Sequence, residues 1–391
     1  MSVLDELLTR GVAEVIVERE LRERLEAGKP LRLKQGFDPT KPDMHIGHAV
    51  GLRKLRAFQE LGHQVVLIVG DWTAQIGDPS GRDETRTRLT AAEVKANAET
   101  YMDQFFRVID RSRTEVRWQS EWFGGFKLEG ALDLAGRFTL AQMLAHETFR
   151  KRYEAGSPVT ILELMYPMLQ GYDSVAMQAD VEFGGTDQKF NILAGRELMG
   201  QLGMTPQQVL LLPLIPGTDG RKMSKTFLNT VDIRMPPNEM FGRVMSMSDE
   251  VLPLYFEVLS DVPMAEVAEM RAAIAAGSVN PRDLKMRLAR TIVDQFHNPS
   301  AGAEAEAAFI RQFVQRELPS EIAEYRLEAP ATIIDVLVET KLASSRSEAR
   351  RLVDGGGVRV EGERVSGYDH PLAPGAGVVV QVGRRKFMRL V

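Results

Sequence analysis

"DPTKPDMHIGHAVGL", residues Asp38 to Leu52, sets His45 and His48 three positions apart at the expected first turn of a helix. The 391 residues hold only six histidines and no cysteine. Just upstream, "PLRLKQG" (Pro30–Gly36) alternates and reads as a strand, and "HIGHAVGLRKLRAFQELG" keeps helical spacing until Gly62 closes it. Strand, Pro/Asp-rich loop and helix form the repeating unit of a parallel α/β sheet, and such sheets bind ligands at the carboxyl ends of their strands.

Three positions apart, the imidazoles share one helix face. A metal pair is one reading, but zinc-type sites take three or four ligands. No HExxH and no obvious third ligand accompanies the pair, so no metal is expected. A pair of surface histidines capping the helix is the second reading. The third is nucleotide binding. Free N–H groups and the positive end of the helix dipole suit phosphate, and imidazoles can donate to phosphate or ribose oxygens. Gly47 would let a flat adenine or ribose approach the backbone.

Downstream, "GRKMSKT" (Gly220–Thr226) places Lys222 and Lys225 three apart in a basic loop after a strand. Mobile ammonium groups can follow a departing pyrophosphate. A solvated basic loop is the ordinary reading of such a stretch alone. Together with the histidine pair it favours nucleotide chemistry.

The same alternation runs through the opening half. A helix is expected over the first ~28 residues, strands at "HQVVLIVGD", "EVRWQ", "ADVEFGG" and "QQVLLLPLI", and helices at "AAEVKANAETYMDQFFRVI" and "VTILELMYPMLQGYDSVAMQ". The fold class is therefore α/β: a Rossmann-like parallel-sheet domain over residues 1–235, with a helical insertion near 120–160. A helical domain follows over 236–316, then a linker over 317–330. A small α+β module spans 331–391, two helices and then short strands with Gly-rich turns. That tail carries ten Lys/Arg against seven Asp/Glu, net +3, while the rest of the chain is net −8. The basic tail hints at a polyanionic partner. Arg346, Arg350 and Arg351 share one face of its second expected helix, as a phosphate contact or as a solvated basic face. The composition, 44% hydrophobic and 26% charged, is ordinary for a globular protein. There is no apolar run of ~18 residues and no membrane partner is expected. Without cysteines there are no disulfides or thiolate metal sites, and the N-terminus lacks the pattern of a secretory signal, so a cytoplasmic protein is expected.

The two basic and histidine segments resemble the signatures of class I aminoacyl-tRNA synthetases. "GFDPT", "IGDPSGR", "YPMLQGYD" and "GGTDQKFN" narrow the resemblance to the bacterial tyrosyl-tRNA synthetases, and the terminal module is similar to the RNA-binding domain that ends many of them. The resemblance covers nearly the whole chain. It implies a tyrosine–tRNA ligase that joins tyrosine and ATP into tyrosyl-adenylate and pyrophosphate, then passes tyrosine to the 3'-terminal ribose of tRNA(Tyr). It implies Mg2+ accompanying ATP, no structural metal, and a homodimer with the 120–160 helices near its interface. It also implies anticodon recognition by the 236–316 region. Thr40 and His45 would hold the γ-phosphate side of ATP; Gly47 and His48 would face the adenosine; Asp38 would lie at the ATP site. Asp187, beside Gly185, would bind the ribose. Lys222 and Lys225 would bind pyrophosphate, with Arg82 and Arg86 closing on the same phosphates. Asp78, Tyr166 and Gln170 would take the tyrosine ammonium, Gln188 would help place its carboxylate, and Asp173 would accept the phenolic hydroxyl.

Residues 166, 170 and 173 fall at i, i+4 and i+7, one helix face, although the three alone also fit a solvated stripe. A dedicated acceptor for the hydroxyl would reject phenylalanine by ~10⁴–10⁵. Two departures stand out. Many family members carry a tyrosine, a second phenol partner, where this chain has Lys34, and Gln35 beside it also differs. Either the Lys34 side chain points elsewhere or its ammonium reaches the pocket. Thr226 replaces a serine but keeps the hydroxyl. The nearest rival is a tryptophanyl-tRNA synthetase, which shares fold and chemistry; a small-molecule nucleotidyltransferase and a non-catalytic RNA-binding relative are more distant.

Overall fold

The computed structural model describes residues 2–80, 89–223, 227–314, 322–375, 377–383 and 386–391. The chain divides into two compact units, Met1–Glu306 and Ala307–Val391.

The first unit is built on six strands: β1 (Glu14–Ile16), β2 (Arg32–Phe37), β3 (Gln64–Val69), β4 (Thr114–Trp118), β5 (Val181–Gly185) and β6 (Gln208–Leu212). Their order is β1-β6-β5-β2-β3-β4. All neighbours are parallel except β1, which lies antiparallel along the β6 edge. From β2 the chain winds outward to β3 and β4, then returns on the other side of β2 for β5 and β6. The strand order therefore reverses between β2 and β5. At that reversal the loops leaving the two strands diverge and open a crevice.

The centre of the sheet is apolar on both faces. Val65 to Val69 of β3 and Val209 to Leu212 of β6 are all buried, as strands covered on both sides must be. The helix Ile46–Glu60 buries Ile46, Ala49, Val50, Leu52, Leu55 and Phe58, apolar positions that recur at three- and four-residue spacing. Phe58 meets Phe183 of β5 edge to face, with ring centroids 5.2 Å apart. Removing either ring would cost about 3–5 kcal/mol.

The expected N-terminal helix is not continuous. It is the two helices Val3–Thr9 and Glu18–Glu26 with β1 between them. Gly11 turns the chain at φ +58°, where its missing Cβ also lets it lie against Val258. Val17 adopts φ 59° to restart the helix. Pairing with the free edge of β6 outweighs local helical propensity here. The helix expected over "AAEVKANAETYMDQFFRVI" is likewise split into Ala91–Glu99 and Tyr101–Phe105. Thr100 at the break turns its hydroxyl to the carbonyls of Pro42 and Asn97.

The second unit has a core of its own, including Ile333, Val336, Leu337, Val358, Val380 and Leu390. Helices Ile333–Glu339 and Arg346–Asp354 each start on a capping hydroxyl, Thr332 and Ser345. Within the segment read as linker, Glu324–Tyr325 pair in parallel with Lys386–Leu390 at one edge of the unit's five-stranded sheet.

Candidate active site

A cavity of about 350 Å³ opens where the sheet order reverses. It is lined from the carboxyl ends of the strands: Phe37 and Asp38 after β2, Gly70 and Thr73 after β3, Gln119 after β4, Gly184 and Gly185 from β5, and Leu212 to Ile215 after β6. The sequence reading placed Asp38, Thr40, His45, Gly47, His48, Asp78, Tyr166, Gln170, Asp173, Gly185, Asp187, Gln188 and Lys222 at a site, and all thirteen line this one cavity. Arg82, Arg86, Lys225 and Thr226 lie outside the described residues.

The two histidines begin the helix Ile46–Glu60. His45 is its N-cap, and the His48 ring sits 3.2 Å from the His45 amide through Nδ1. Their ring centroids are 4.0 Å apart. A side chain on Gly47 would strike the His45 ring at 2.8 Å, so the glycine is needed for the ring to lie against the helix start. Opposite them, Lys222 lies 3.7 Å from the Asp187 carboxylate. Burial raises the Asp187 carboxyl above its ordinary range, and the Lys222 ammonium pulls it back.

The other end of the cavity is organised by the helix Ile161–Met177, which carries Tyr166, Gln170 and Asp173. The Tyr166 hydroxyl donates to Asp38 Oδ2 at 2.8 Å, and the Thr73 hydroxyl donates to Asp38 Oδ1 at 2.6 Å. Asp38 therefore braces the tyrosine–helix end of the cavity as well as following the β2 strand. Asp78 accepts from Gln188 Nε2 at 2.7 Å and from the Ser80 amide at 2.8 Å. A cation meeting Asp38 or Asp78 would find acceptors already oriented.

Asp173 is 2% exposed. Gln119 Nε2 donates to its Oδ2 at 2.9 Å and Trp122 Nε1 to its Oδ1 at 3.1 Å. Burial pushes its carboxyl up to about 7, against the pull of the Lys34 ammonium and of the Gln119 and Trp122 N–H groups. Each oxygen retains acceptor capacity for one more donor. The sequence reading missed Gln119, Trp122 and Thr73. Gln119 had a signal: it is the first residue past a parallel strand, where site residues concentrate. Its amide oxygen accepts from the Thr73 amide at 2.9 Å and the Trp72 amide at 3.2 Å, so its NH2 is the end turned to Asp173.

Of the two alternatives for Lys34, the structure shows the first. The side chain is fully buried and absent from the cavity lining. Its Nζ donates to Glu182 Oε1 at 2.8 Å, Ser174 Oγ at 2.9 Å and the Gln170 carbonyl at 3.0 Å. Gln35 does line the cavity, packed against Gly51. In the second unit Arg346, Arg350 and Arg351 are all exposed on one helix. Arg346 pairs with Asp335, and Arg350 lies 5.7 Å over the Tyr368 ring.

The family model for class I tRNA synthetases (W and Y) matches residues 26–314, and the S4 domain model matches residues 333–378. A tyrosine–tRNA ligase of Dehalococcoides mccartyi is 52% identical over 391 residues, covering 99% of this chain and 98% of that one. One of Thermotoga maritima is 46% identical over 385 residues, with 98% and 96% covered. Among solved structures, a tyrosyl-tRNA synthetase from Archaeoglobus fulgidus complexed with L-tyrosine matches with a TM-score of 0.63 at 22% identity, over 78% of this chain and 100% of that one. A truncated Aspergillus nidulans mitochondrial tyrosyl-tRNA synthetase matches with 0.66 at 22% identity, over 80% and 94%. At that identity the structural likeness speaks for the fold.

Proposed function

The chain belongs to the class I tRNA synthetases of the tryptophan and tyrosine family, and from that premise we propose how its cavity divides the work. The activity is that of a tyrosine–tRNA ligase: tyrosine and ATP give tyrosyl-adenylate and pyrophosphate, and the tRNA ribose then takes the tyrosine. The observation that carries the residue assignment is Asp173, a buried acceptor whose two oxygens are steered from behind by Gln119 and Trp122.

A phenol entering the cavity would donate its hydroxyl to Asp173. Phenylalanine would bring no donor to the acceptor capacity that Gln119 and Trp122 leave open on that buried carboxylate, and a buried acceptor left short of its partner is what makes such a site selective. Asp78, Tyr166 and Gln170 would take the substrate ammonium, and Gln188 its carboxylate. Asp38 would tie this end to the ATP end through Tyr166 and Thr73. Gly47 and His48 would face the adenosine, and Asp187 with Gly185 the ribose. The tyrosine carboxylate then attacks the α-phosphate in line. No side-chain nucleophile is required; catalysis is positioning plus stabilisation of spreading phosphate charge. Thr40, His45, Lys222 and Lys225, with Arg82 and Arg86, would hold the departing pyrophosphate.

Magnesium would enter with ATP, held by phosphate oxygens and water. Among the described residues no group of three His, Asp or Glu side chains could hold a metal ion by itself. The S4 module, with Arg346, Arg350 and Arg351 exposed, would hold tRNA(Tyr), and the 236–316 helices would meet its anticodon arm. A homodimer is supported by exposed apolar side chains in one stretch of the chain. Leu128, Leu132, Leu140, Tyr153 and Ile161 are each more than half exposed, and all belong to the 120–160 helices and the segment that follows them. No helix among the described residues is long and apolar enough to cross a membrane, and a cytoplasmic setting fits the bacterial relatives.

The test is ATP–pyrophosphate exchange with each of the twenty amino acids. Exchange with tyrosine alone is expected. Exchange with tryptophan instead would keep the chemistry and overturn the role of Asp173.

A further inference from the structure

Beneath the cavity floor, β2 and β5 bring Lys34 and Glu182 into register as direct partners. Both side chains are buried, at 0% and 1% exposure. The Glu182 carboxylate is saturated. Oε1 accepts from Lys34 Nζ at 2.8 Å and from Gln170 Nε2 at 3.2 Å. Oε2 accepts from the Ser174 hydroxyl at 2.9 Å and from Gln207 Nε2 at 2.5 Å.

An ionised carboxylate accepts hydrogen bonds and cannot donate them. The end of the Gln170 amide turned to Glu182 must therefore be its NH2. That leaves Oε1 as the amide atom available to the cavity, which Gln170 lines. An ammonium group needs an acceptor there; an NH2 would repel it. A neutral residue at 182 could offer Gln170 either a donor or an acceptor, and the amide would lose its fixed sense. A carboxylate removes that choice, but a buried carboxylate needs a counter-ion, and Lys34 supplies one from the adjacent strand.

We propose that Glu182 is a positioning residue for the ammonium of the amino-acid substrate, acting through the Gln170 amide, with Lys34 as its buried counter-ion. This rests on the reading that Gln170 meets that ammonium. Lys34 does not line the cavity; its second and third hydrogen bonds, to Ser174 and the Gln170 carbonyl, hold the helix segment that carries Gln170.

The test compares L-tyrosine with 3-(4-hydroxyphenyl)propionate, which is tyrosine without its amino group. Dissociation constants for both are measured on the full chain, with the KM for ATP as the check on folding. In Lys34→Met/Glu182→Gln the pair's charges go together and the Gln170 amide becomes free to turn. Tyrosine should weaken roughly two- to tenfold, the cost of ordering one free side chain, while the propionate changes little. In the reversed pair Lys34→Glu/Glu182→Lys, a donor at 182 draws the Gln170 oxygen away from the cavity. Tyrosine should then weaken by more than about tenfold, again without a matching loss for the propionate. If the reversed pair does not fold, the first variant decides. Equal losses for both ligands, or no loss for tyrosine, would overturn the proposal. Gln170→Ala separates the premise from the inference. If it weakens tyrosine selectively while the paired variants do not, Glu182 has no such role and the Gln170 reading stands. If it weakens both ligands alike, the Gln170 reading itself fails.

Discussion

Tyrosine affinity should depend on pH through Asp173, and the size of the effect follows from its burial. Desolvation raises the carboxyl to about 7, with Glu182 adding to the rise and Lys34, Gln119 and Trp122 opposing it. The ionised form is the better acceptor for a phenol hydroxyl. With that carboxyl near 7, roughly one-tenth of the free protein is ionised at pH 6 and roughly nine-tenths at pH 8. If tyrosine selects the ionised form, its apparent affinity should rise about tenfold across that interval. Binding near pH 6.5 should release roughly three-quarters of a proton, visible as a buffer-dependent heat in calorimetry. Asp173→Asn should bind weakly at every pH and lose the slope. Dividing wild-type by variant affinities also cancels any titration of the substrate. The same shift acts on folding. Between about pH 4 and 7 the unfolded chain has already lost the proton that native Asp173 keeps. The native state then binds more protons, so stability falls as pH rises through that window, by about 4 kcal/mol in all. Asp173→Asn should therefore gain thermal stability relative to wild type as pH is raised from 4.5 to 8. In a unit of this size that is on the order of 6 °C. An affinity that is flat, or that strengthens toward pH 6, would refute the reasoning.

Two further outcomes are expected. Lys222→Ala should slow adenylate formation about 10²–10³-fold with tyrosine affinity little changed, because its ammonium would act on phosphate charge that develops only in the transition state. A parallel loss of tyrosine affinity, read in the same pre-steady-state titration, would contradict that role. Arg350→Glu/Arg351→Glu should lower kcat/KM for tRNA charging by about tenfold or more at low salt and flatten its salt dependence. Pyrophosphate exchange, which uses no tRNA, provides the contrast; a variant that charges tRNA normally would remove these arginines from the interface.

Much of the site could be read from the chain because its parts are local. His45, Gly47 and His48 sit in one helical turn, and Tyr166, Gln170 and Asp173 follow a helical period, so spacing alone put each set on one face. The strand–loop–helix pattern placed the histidine pair at the carboxyl end of a parallel strand, the family resemblance assigned the Tyr166 set to the same site, and the structure brings both into one cavity. The N-terminal segment shows where local reasoning stops. Its spacing is helical, yet Glu14–Ile16 pairs with an edge strand nearly two hundred residues away. The gain from covering that edge depends on a partner that no window of sequence contains.

Lys34 makes the same point within the site. The sequence showed that a lysine stands on β2 where a phenol partner was expected, and that Asp173 shares a helix face with Tyr166 and Gln170. It could not say where the ammonium goes. That is decided by β5 arriving beside β2 with Glu182 in register, and by the helix bringing Ser174 and the Gln170 carbonyl over both. Gln119 and Trp122, 54 and 51 residues earlier in the chain, likewise reach Asp173 only because the fold brings the end of β4 against the helix that carries it. Period and propensity act over a turn or a strand and are written in neighbouring residues. A buried charge must find its counter-charge in space, and only the closed sheet fixes which one that is.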